Sequence, residues 1–100
     1  MKRVNVVLTG FMGTGKSTVG RLLAERLAYV FVDTDEWIEK ENGRSVPQIF
    51  REEGEAAFRQ LERTASETLG KRDGLVIATG GGLMLDEANA TALMENGSVF

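Results

Sequence analysis

The stretch GFMGTGKSTVG, from Gly10 to Gly20, constrains the fold more than any other part of this 100-residue chain. It follows the apolar run of residues 4–9 and fits the pattern G-x-x-x-x-G-K-S/T between a strand and a helix. Glycines let successive main-chain amides converge on phosphate oxygens, and a helix N-terminus adds partial positive charge. A turn selected only for tightness would not need Lys16 and Ser17 at the helix start. The stretch therefore predicts a phosphate-binding loop, with Lys16 on the outer phosphates of a nucleotide and Ser17 on magnesium.

Apolar runs typical of strands alternate with helical patterns along the chain. The runs cover residues 4–9, 30–32, 75–78 and an unfinished 98–100, and the main helical patterns cover residues 17–27 and 55–69. Parallel strands need long crossovers, which helices fill. We therefore expect one domain over residues 1–100 with an α/β fold. The expected architecture is a P-loop three-layer α/β/α arrangement whose parallel sheet is cut in its fourth strand.

Helix ends are predicted from capping residues. Ser45, followed by Val46-Pro47-Gln48, predicts a helix start that is capped by the serine and carries proline in its first turn. Four glycines each follow a helical pattern, and we expect each to end its helix in a left-handed conformation. These are Gly43, Gly54, Gly70 and Gly97.

Composition excludes several kinds of function. The chain has no cysteine and no histidine, so its chemistry must rely on carboxylates, lysine, arginine, hydroxyls and main-chain amides. The net charge is -3 and basic residues are scattered among acidic ones, so we expect no nucleic-acid partner. The apolar runs are too short to cross a bilayer and no secretory leader is recognisable. We therefore expect a cytoplasmic protein without a membrane partner.

Two carboxylates follow the second predicted strand, in Asp33-Thr34-Asp35. Aspartate favours helix N-termini, so either residue alone could be a helix cap. In a phosphate-binding protein, however, this strand end should lie beside the phosphate loop, at the carboxyl edge of the sheet. One carboxylate would then support magnesium while the other faces an acceptor hydroxyl.

Two further features are candidates for the acceptor side of the site. The third predicted strand ends in Ala78-Thr79-Gly80-Gly81-Gly82, which would let a small ligand touch the main chain, or would keep the loop slim beneath a packed helix. Arg59 lies beside the apolar stripe of its helix. It could pair with Glu55 or Glu62 at the surface, or clamp a carboxylate substrate through two parallel hydrogen bonds.

Taken together, these segments resemble the shikimate kinase family in order and spacing. They are GFMGTGKSTVGRLLAERL, FVDTDEWIEKENGRSVPQIFREEGEAAFRQLE and ATGGG, and the resemblance spans the whole chain. Very many proteins share the phosphate loop, but its combination with DTD, GE-x-x-FR-x-x-E and the triple glycine is specific. One departure is Ala28, which stands where a glycine is common in the family.

The resemblance implies a role for each site residue. Lys16 and Asp35 would be catalytic, with Asp35 also binding shikimate and orienting or deprotonating its reacting hydroxyl. Ser17 and Asp33 would hold Mg²⁺. ATP would be bound by Gly13, Thr14, Gly15, Lys16, Ser17 and Thr18. Shikimate would be bound by Asp35, Arg59, Gly80, Gly81 and Gly82, with Glu62 orienting Arg59 and with Phe50 and Phe58 flanking the ring.

The resemblance also implies an activity, namely transfer of the γ-phosphoryl group of ATP to the 3-hydroxyl of shikimate, in aromatic amino acid biosynthesis. Family members continue into a lid segment that carries an arginine, so we expect these residues to be the front part of a monomeric kinase and poorly active alone. Two alternatives stay open. One is another small-molecule kinase that acts on gluconate or a nucleoside monophosphate, and the other is an ATP-binding module without catalysis.

Overall fold

The computed structural model describes residues 3–9, 15–80 and 82–99, without the side chains of residues 15–17, 98 and 99. Its elements follow one another in the order β1 (Asn5–Leu8), α1 (Gly15–Leu27), β2 (Val30–Asp33), α2 (Thr34–Asn42), α3 (Val46–Glu53), α4 (Glu55–Gly70), β3 (Leu75–Ala78), a 3₁₀ turn (Leu83–Leu85), α5 (Glu87–Met94) and β4 (Gly97–Val99). The predicted alternation of strands and helices is therefore confirmed, with boundaries within two residues of those expected for the matching elements.

The four strands form one parallel sheet in the order β2-β3-β1-β4. Side chains alternate across it, so each face has its own core. On one face Val7, Leu75 and Ile77 pack against Leu69 of α4 and Leu93 of α5. On the other face Leu8 and Val76 pack against Ala24 of α1. Helices thus cover both faces, and the expected three-layer α/β/α fold is confirmed.

A third apolar cluster lies between α2, α3 and α4. Ile38, Ile49, Phe58 and Ala65 are buried there, one from α2, one from α3 and two from α4. The cluster fixes the helix that carries Phe58 and its neighbour Arg59 relative to the helix that begins at Thr34. In the described part of the chain, no helix is both long enough and apolar enough to cross a membrane.

Capping explains several helix boundaries. Ser45 Oγ accepts a hydrogen bond from the Gln48 amide at 3.3 Å, with Pro47 in the first turn of α3, so the predicted helix start is confirmed. Gly43 ends α2 with φ +65° and ψ 23°, as expected. Gly54 joins α3 to α4 with φ +88° but ψ 175°, which lies outside the left-handed helical region predicted for it.

The predicted caps at Gly70 and Gly97 are wrong. Gly70 is the last residue of α4 and Gly97 the first of β4, and neither has a positive φ. A Cβ atom on Gly70 would collide with the carbonyl oxygen of Ala92, and one on Gly97 would lie 2.6 Å from the carbonyl oxygen of Leu93. These glycines allow main chains to approach each other closely, which the helical pattern before them could not indicate.

The end of α1 shows why glycine suits position 28, where this chain has alanine. Tyr29 N–H donates to the Ala24 carbonyl at 2.8 Å and Ala28 N–H donates to the Glu25 carbonyl at 3.3 Å, which is the Schellman arrangement. Ala28 itself has φ +57°, the one positive φ outside glycine in the described residues. A left-handed conformation costs an L-residue about 1–2 kcal/mol. Glycine would take this position without that cost.

Candidate functional site

Three strands of the sheet end side by side and bring the candidate segments to one edge. Ala78 at the end of β3 is in register with Leu8 at the end of β1 and with Asp33 at the end of β2. The chain therefore leaves the sheet after Leu8, Asp33 and Ala78 from adjacent points at its carboxyl edge. Ligands of parallel α/β sheets bind at this edge.

Thr79 connects the glycine segment, which is residues 80–82, to the end of β1. Its N–H and its hydroxyl both lie 3.2 Å from the Leu8 carbonyl oxygen, and the side chain is buried. No local sequence signal indicates this role of Thr79, because its partner is 71 positions away. The end of β1 is consequently fixed to the residue that precedes Gly80.

Asp33 is the N-cap of α2. Its Oδ1 accepts hydrogen bonds from the amides of Asp35 at 2.9 Å and Glu36 at 3.1 Å. The capping alternative for Asp33 is therefore observed, but it does not exclude the predicted role on magnesium. Both amides donate to Oδ1. The other oxygen, Oδ2, is a carboxylate oxygen, which is the kind of ligand that Mg²⁺ prefers. In the parts of the chain that the structure describes, no group of three or more acidic side chains forms a metal site.

The Asp35 carboxylate lies against the main chain of Gly80. A Cβ atom on residue 80 would be 2.5 Å from Asp35 Oδ1 and 3.1 Å from Oδ2, closer than ordinary contact. Glycine at this position therefore leaves room for the carboxylate. The structure thus brings together two of the residues that the resemblance implies for the acceptor site.

Arg59 is held by two carboxylates on its own helix. Its Nη1 lies 2.7 Å from Glu62 Oε1, and its Nε lies 3.6 Å from Glu55 Oε1. Glu62 is 2% exposed whereas Arg59 is 45% exposed, so the buried acid fixes one end of a guanidinium that still reaches solvent. The hydrogen bond that Arg59 donates to Glu62, and then the charge of Glu62, raise the pKa of Arg59 above its ordinary value, which keeps the side chain cationic.

Gly82 makes for Arg59 the space that Gly80 makes for Asp35. A Cβ atom on residue 82 would lie 2.7 Å from Arg59 Nη1. The sequence suggested that these glycines let a ligand approach the main chain. The structure adds another reason, because the space beside Gly80 and Gly82 is occupied by a carboxylate and a guanidinium of the protein. The glycines at both ends of one short segment thus contact an anionic and a cationic side chain.

An aromatic pair, Phe50 and Phe58, lies near Arg59 through the ring of Phe58. The ring centroids of Phe50 and Phe58 are 4.8 Å apart, and the Arg59 Cζ atom is 5.9 Å from the Phe58 centroid. Phe58 is buried in the cluster between α2, α3 and α4, while Phe50 is 37% exposed. Phe58 is therefore a core residue, and Phe50 is a more exposed residue whose ring packs against it.

Several predicted site residues lie outside the described part of the structure. These are Gly13, Thr14 and Gly81, together with the side chains of Lys16 and Ser17. Of the predicted ATP-binding residues, Gly15 begins α1 and Thr18 is exposed in its first turn. The roles expected for this segment stay predictions.

A groove of about 810 Å³ lies along α2 and is separate from the charged side chains that contact Gly80 and Gly82. It runs from Asp33 along α2 to Ser45 and Gln48, with Phe31 and Trp37 in its wall. Asp35 and Arg59 do not line it. We assign the site by its chemistry rather than by groove size, because the charged groups that converge on the glycine segment lie elsewhere.

Comparisons with known proteins agree with this arrangement. The family model for shikimate kinase matches residues 12–100. A shikimate kinase from Persephonella marina is 53% identical over 96 residues, which are 96% of this chain and 58% of that protein. One from Hahella chejuensis is 52% identical over 95 residues, which are 95% of this chain and 50% of that protein.

Solved structures give the same result. A shikimate kinase from Acinetobacter baumannii in complex with shikimate matches with a TM-score of 0.90 and 44% identity, over 97% of this chain and 54% of that chain. A shikimate kinase from Aquifex aeolicus matches with a TM-score of 0.87 and 43% identity, over 95% of this chain and 56% of that one. The chain thus spans about half the length of the relatives that it matches. It belongs to the shikimate kinase family.

Proposed function

We propose that the full-length protein containing this chain is an ATP-dependent shikimate kinase that forms shikimate 3-phosphate and ADP. The observation that carries the proposal is the contact of the Asp35 carboxylate and the Arg59 guanidinium with the same glycine segment, at Gly80 and Gly82. An acceptor with one hydroxyl to be phosphorylated and one carboxylate to be recognised fits an acid and a cation held in this way. The relative from Acinetobacter baumannii, solved in complex with shikimate, supports the same acceptor.

The nucleotide half of the site is assigned from the sequence pattern. Main-chain amides of residues 13–18, including Gly13, Thr14 and Gly15, would bind the phosphates, with Thr18 in the first turn of α1. Lys16 would neutralise charge on the outer phosphates. Mg²⁺ would be held by Ser17 and Asp33, and it would neutralise charge that develops on the phosphate oxygens.

On the acceptor side, Asp35 accepts the hydrogen bond of the reacting hydroxyl. The hydroxyl oxygen forms a bond to the γ-phosphorus of ATP, the bond from that phosphorus to the β–γ bridging oxygen breaks, and ADP leaves. Asp35 takes the hydroxyl proton in this step. Arg59 binds the acceptor carboxylate, with Glu62 behind it as a fixed counter-charge.

The test uses the full-length protein with ATP and Mg²⁺. ADP release is measured with shikimate, gluconate and nucleoside monophosphates in parallel, and phosphorus NMR identifies the product. We expect turnover with shikimate alone. Transfer to gluconate or a nucleotide but not to shikimate would overturn the acceptor assignment, and ATP binding without transfer to any acceptor would favour a non-catalytic module.

A matched pair of variants tests the carboxylate contact. Arg59→Ala should raise the KM for shikimate about 100-fold, because a charged hydrogen-bonding partner is lost. Arg63→Ala is the control, since Arg63 lies on the next turn of the same helix but pairs with Asp86 and Asn89. Equal effects of the two substitutions on the KM for shikimate would contradict the role of Arg59.

The cytoplasmic location and the monomeric state expected from the sequence stay predictions. Light scattering during size-exclusion chromatography of the full-length protein measures the second, and a mass near twice that of one chain would contradict it.

A further inference from the structure

A buried hydroxyl joins the start of α2 to the glycine segment after β3. Thr34, the first residue of α2, is 0% exposed and stands between Asp33 and Asp35. Its Oγ1 accepts a hydrogen bond of 2.9 Å from the main-chain N–H of Gly80, which is 46 positions away. This bond joins the start of α2 directly to the glycine segment that follows β3.

This hydrogen bond lies at the glycine segment that contacts the two charged side chains proposed for the acceptor site, Asp35 and Arg59. Gly80 is the residue whose main chain contacts the Asp35 carboxylate, and Asp35 follows Thr34 immediately. Two residues after Gly80, Gly82 contacts the Arg59 guanidinium. The Asp35 carboxylate therefore lies against the Gly80 main chain, and the Thr34 hydroxyl holds that main chain in place.

Among the described hydrogen bonds, the one to Thr34 Oγ1 joins the Gly80 amide to α2, and a partly buried N–H that loses its partner costs free energy. Loss of the hydroxyl would therefore release the Gly80 main chain from α2. The Gly80 main chain could then shift away from Asp35, so that its N–H donates to a different hydrogen-bond acceptor or to water. A displacement of about 1 Å at reacting groups is enough to reduce rates strongly.

We infer that Thr34 is a positioning residue for the acceptor site: its buried hydroxyl holds the Gly80 main chain against Asp35 and thereby sets the affinity for the acceptor alcohol and the rate of its phosphorylation. The inference rests on the proposed function. Thr34 acts through Gly80 and Asp35 and does not itself touch the reacting atoms.

The experiment compares Thr34→Val with Thr34→Ser in the full-length protein. Valine keeps the shape of threonine but removes the hydroxyl, whereas serine keeps the hydroxyl and loses only a methyl group. We expect Thr34→Val to lower kcat/KM for shikimate about ten-fold or more, with the KM for ATP close to wild type. Thr34→Ser should recover most of the activity.

Two further measurements separate positioning from general destabilisation. Leu75→Val, at the opposite end of β3, removes one buried methylene and should destabilise the protein without changing the kinetics of shikimate. Amide hydrogen exchange of Gly80, followed by NMR, should be slow in the wild type and in Thr34→Ser and fast in Thr34→Val.

The outcomes distinguish this inference from the proposed function. If the wild type phosphorylates shikimate and Thr34→Val has the same kcat/KM, the inference is overturned while the function stands. Failure of serine to recover activity, or an equal loss in Leu75→Val, would also overturn it. If the wild type transfers no phosphate to shikimate, the proposed function falls and the inference falls with it.

Discussion

Gly80→Ala is the substitution that most directly tests the arrangement of the acceptor site. Gly80 does not have a positive φ, so alanine can take its backbone conformation without strain. The whole effect of the added methyl group is therefore steric. Its Cβ would lie 2.5 Å from Asp35 Oδ1 and 3.1 Å from both Cγ and Oδ2.

The magnitude follows from the displacement that this contact forces. To restore an ordinary contact of 3.4 Å, the carboxylate and the glycine segment must separate by about 0.9 Å. A misplacement of about 1 Å can reduce turnover about 100-fold, which corresponds to about 2.7 kcal/mol of transition-state stabilisation. We also expect a loss of folding stability of about 1–3 kcal/mol from overpacking.

The assay is ADP release by the full-length protein, with the concentrations of shikimate and ATP varied separately. We expect kcat/KM for shikimate to fall about 100-fold and the KM for ATP to stay near the wild-type value. Gly43→Ala is the control for destabilisation, because nothing lies within 4 Å of its added Cβ and it caps the end of α2 opposite to Thr34 and Asp35. Wild-type kcat/KM in a folded Gly80→Ala protein would refute the reasoning that Asp35 needs this space.

Three other predictions concern charge and backbone conformation. Glu62→Gln removes the buried counter-charge of the guanidinium on the same helix, and we expect an increase of about ten-fold in the KM for shikimate; unchanged kinetics would contradict it. Ala28→Gly should raise the free energy of unfolding by about 1 kcal/mol while Gly43→Ala lowers it by a similar amount, because both positions have a left-handed φ; denaturant unfolding measures both signs. The hydrogen bond from Arg63, and then that from the Ala88 amide, lower the pKa of Asp86 below its ordinary 3.8. The ionised carboxylate therefore stabilises the fold above that pH, and this contribution is lost as the pH falls through the lower pKa of the folded state. The stability difference between the wild type and Asp86→Asn should accordingly shrink below about pH 3.8, and a gap that persists in acid would contradict it.

The features predicted well from the sequence were those specified by neighbouring residues. The strand of Leu75–Ala78 and the long helix before it follow from apolar spacing, and the start of α3 follows from Ser45 and Pro47. The parallel sheet follows from the alternation of strands and helices. The site segments follow from their positions at strand ends, which an α/β sheet brings to one edge.

The features that the sequence did not predict depend on contacts between distant parts of the chain. Gly70 was predicted as a cap, but it is required where α4 meets the main chain of Ala92. The hydroxyl of Thr34 has no local signal, because its partner, the Gly80 amide, is set by how β2 and β3 align. Periodicity indicates which face of an element is buried, but it does not say which atoms of two elements meet.

The Leu8 carbonyl oxygen links the acceptor side of the proposed site to its nucleotide side. Both polar groups of Thr79 are directed at this oxygen, and Leu8 is the last residue of the strand that leads toward the nucleotide loop. We therefore expect a movement of the segment after β3 to displace the end of β1, which precedes the predicted phosphate-binding loop. Under the proposed function, binding of the acceptor should change the affinity for the nucleotide, and binding of the nucleotide should change the affinity for the acceptor by the same factor.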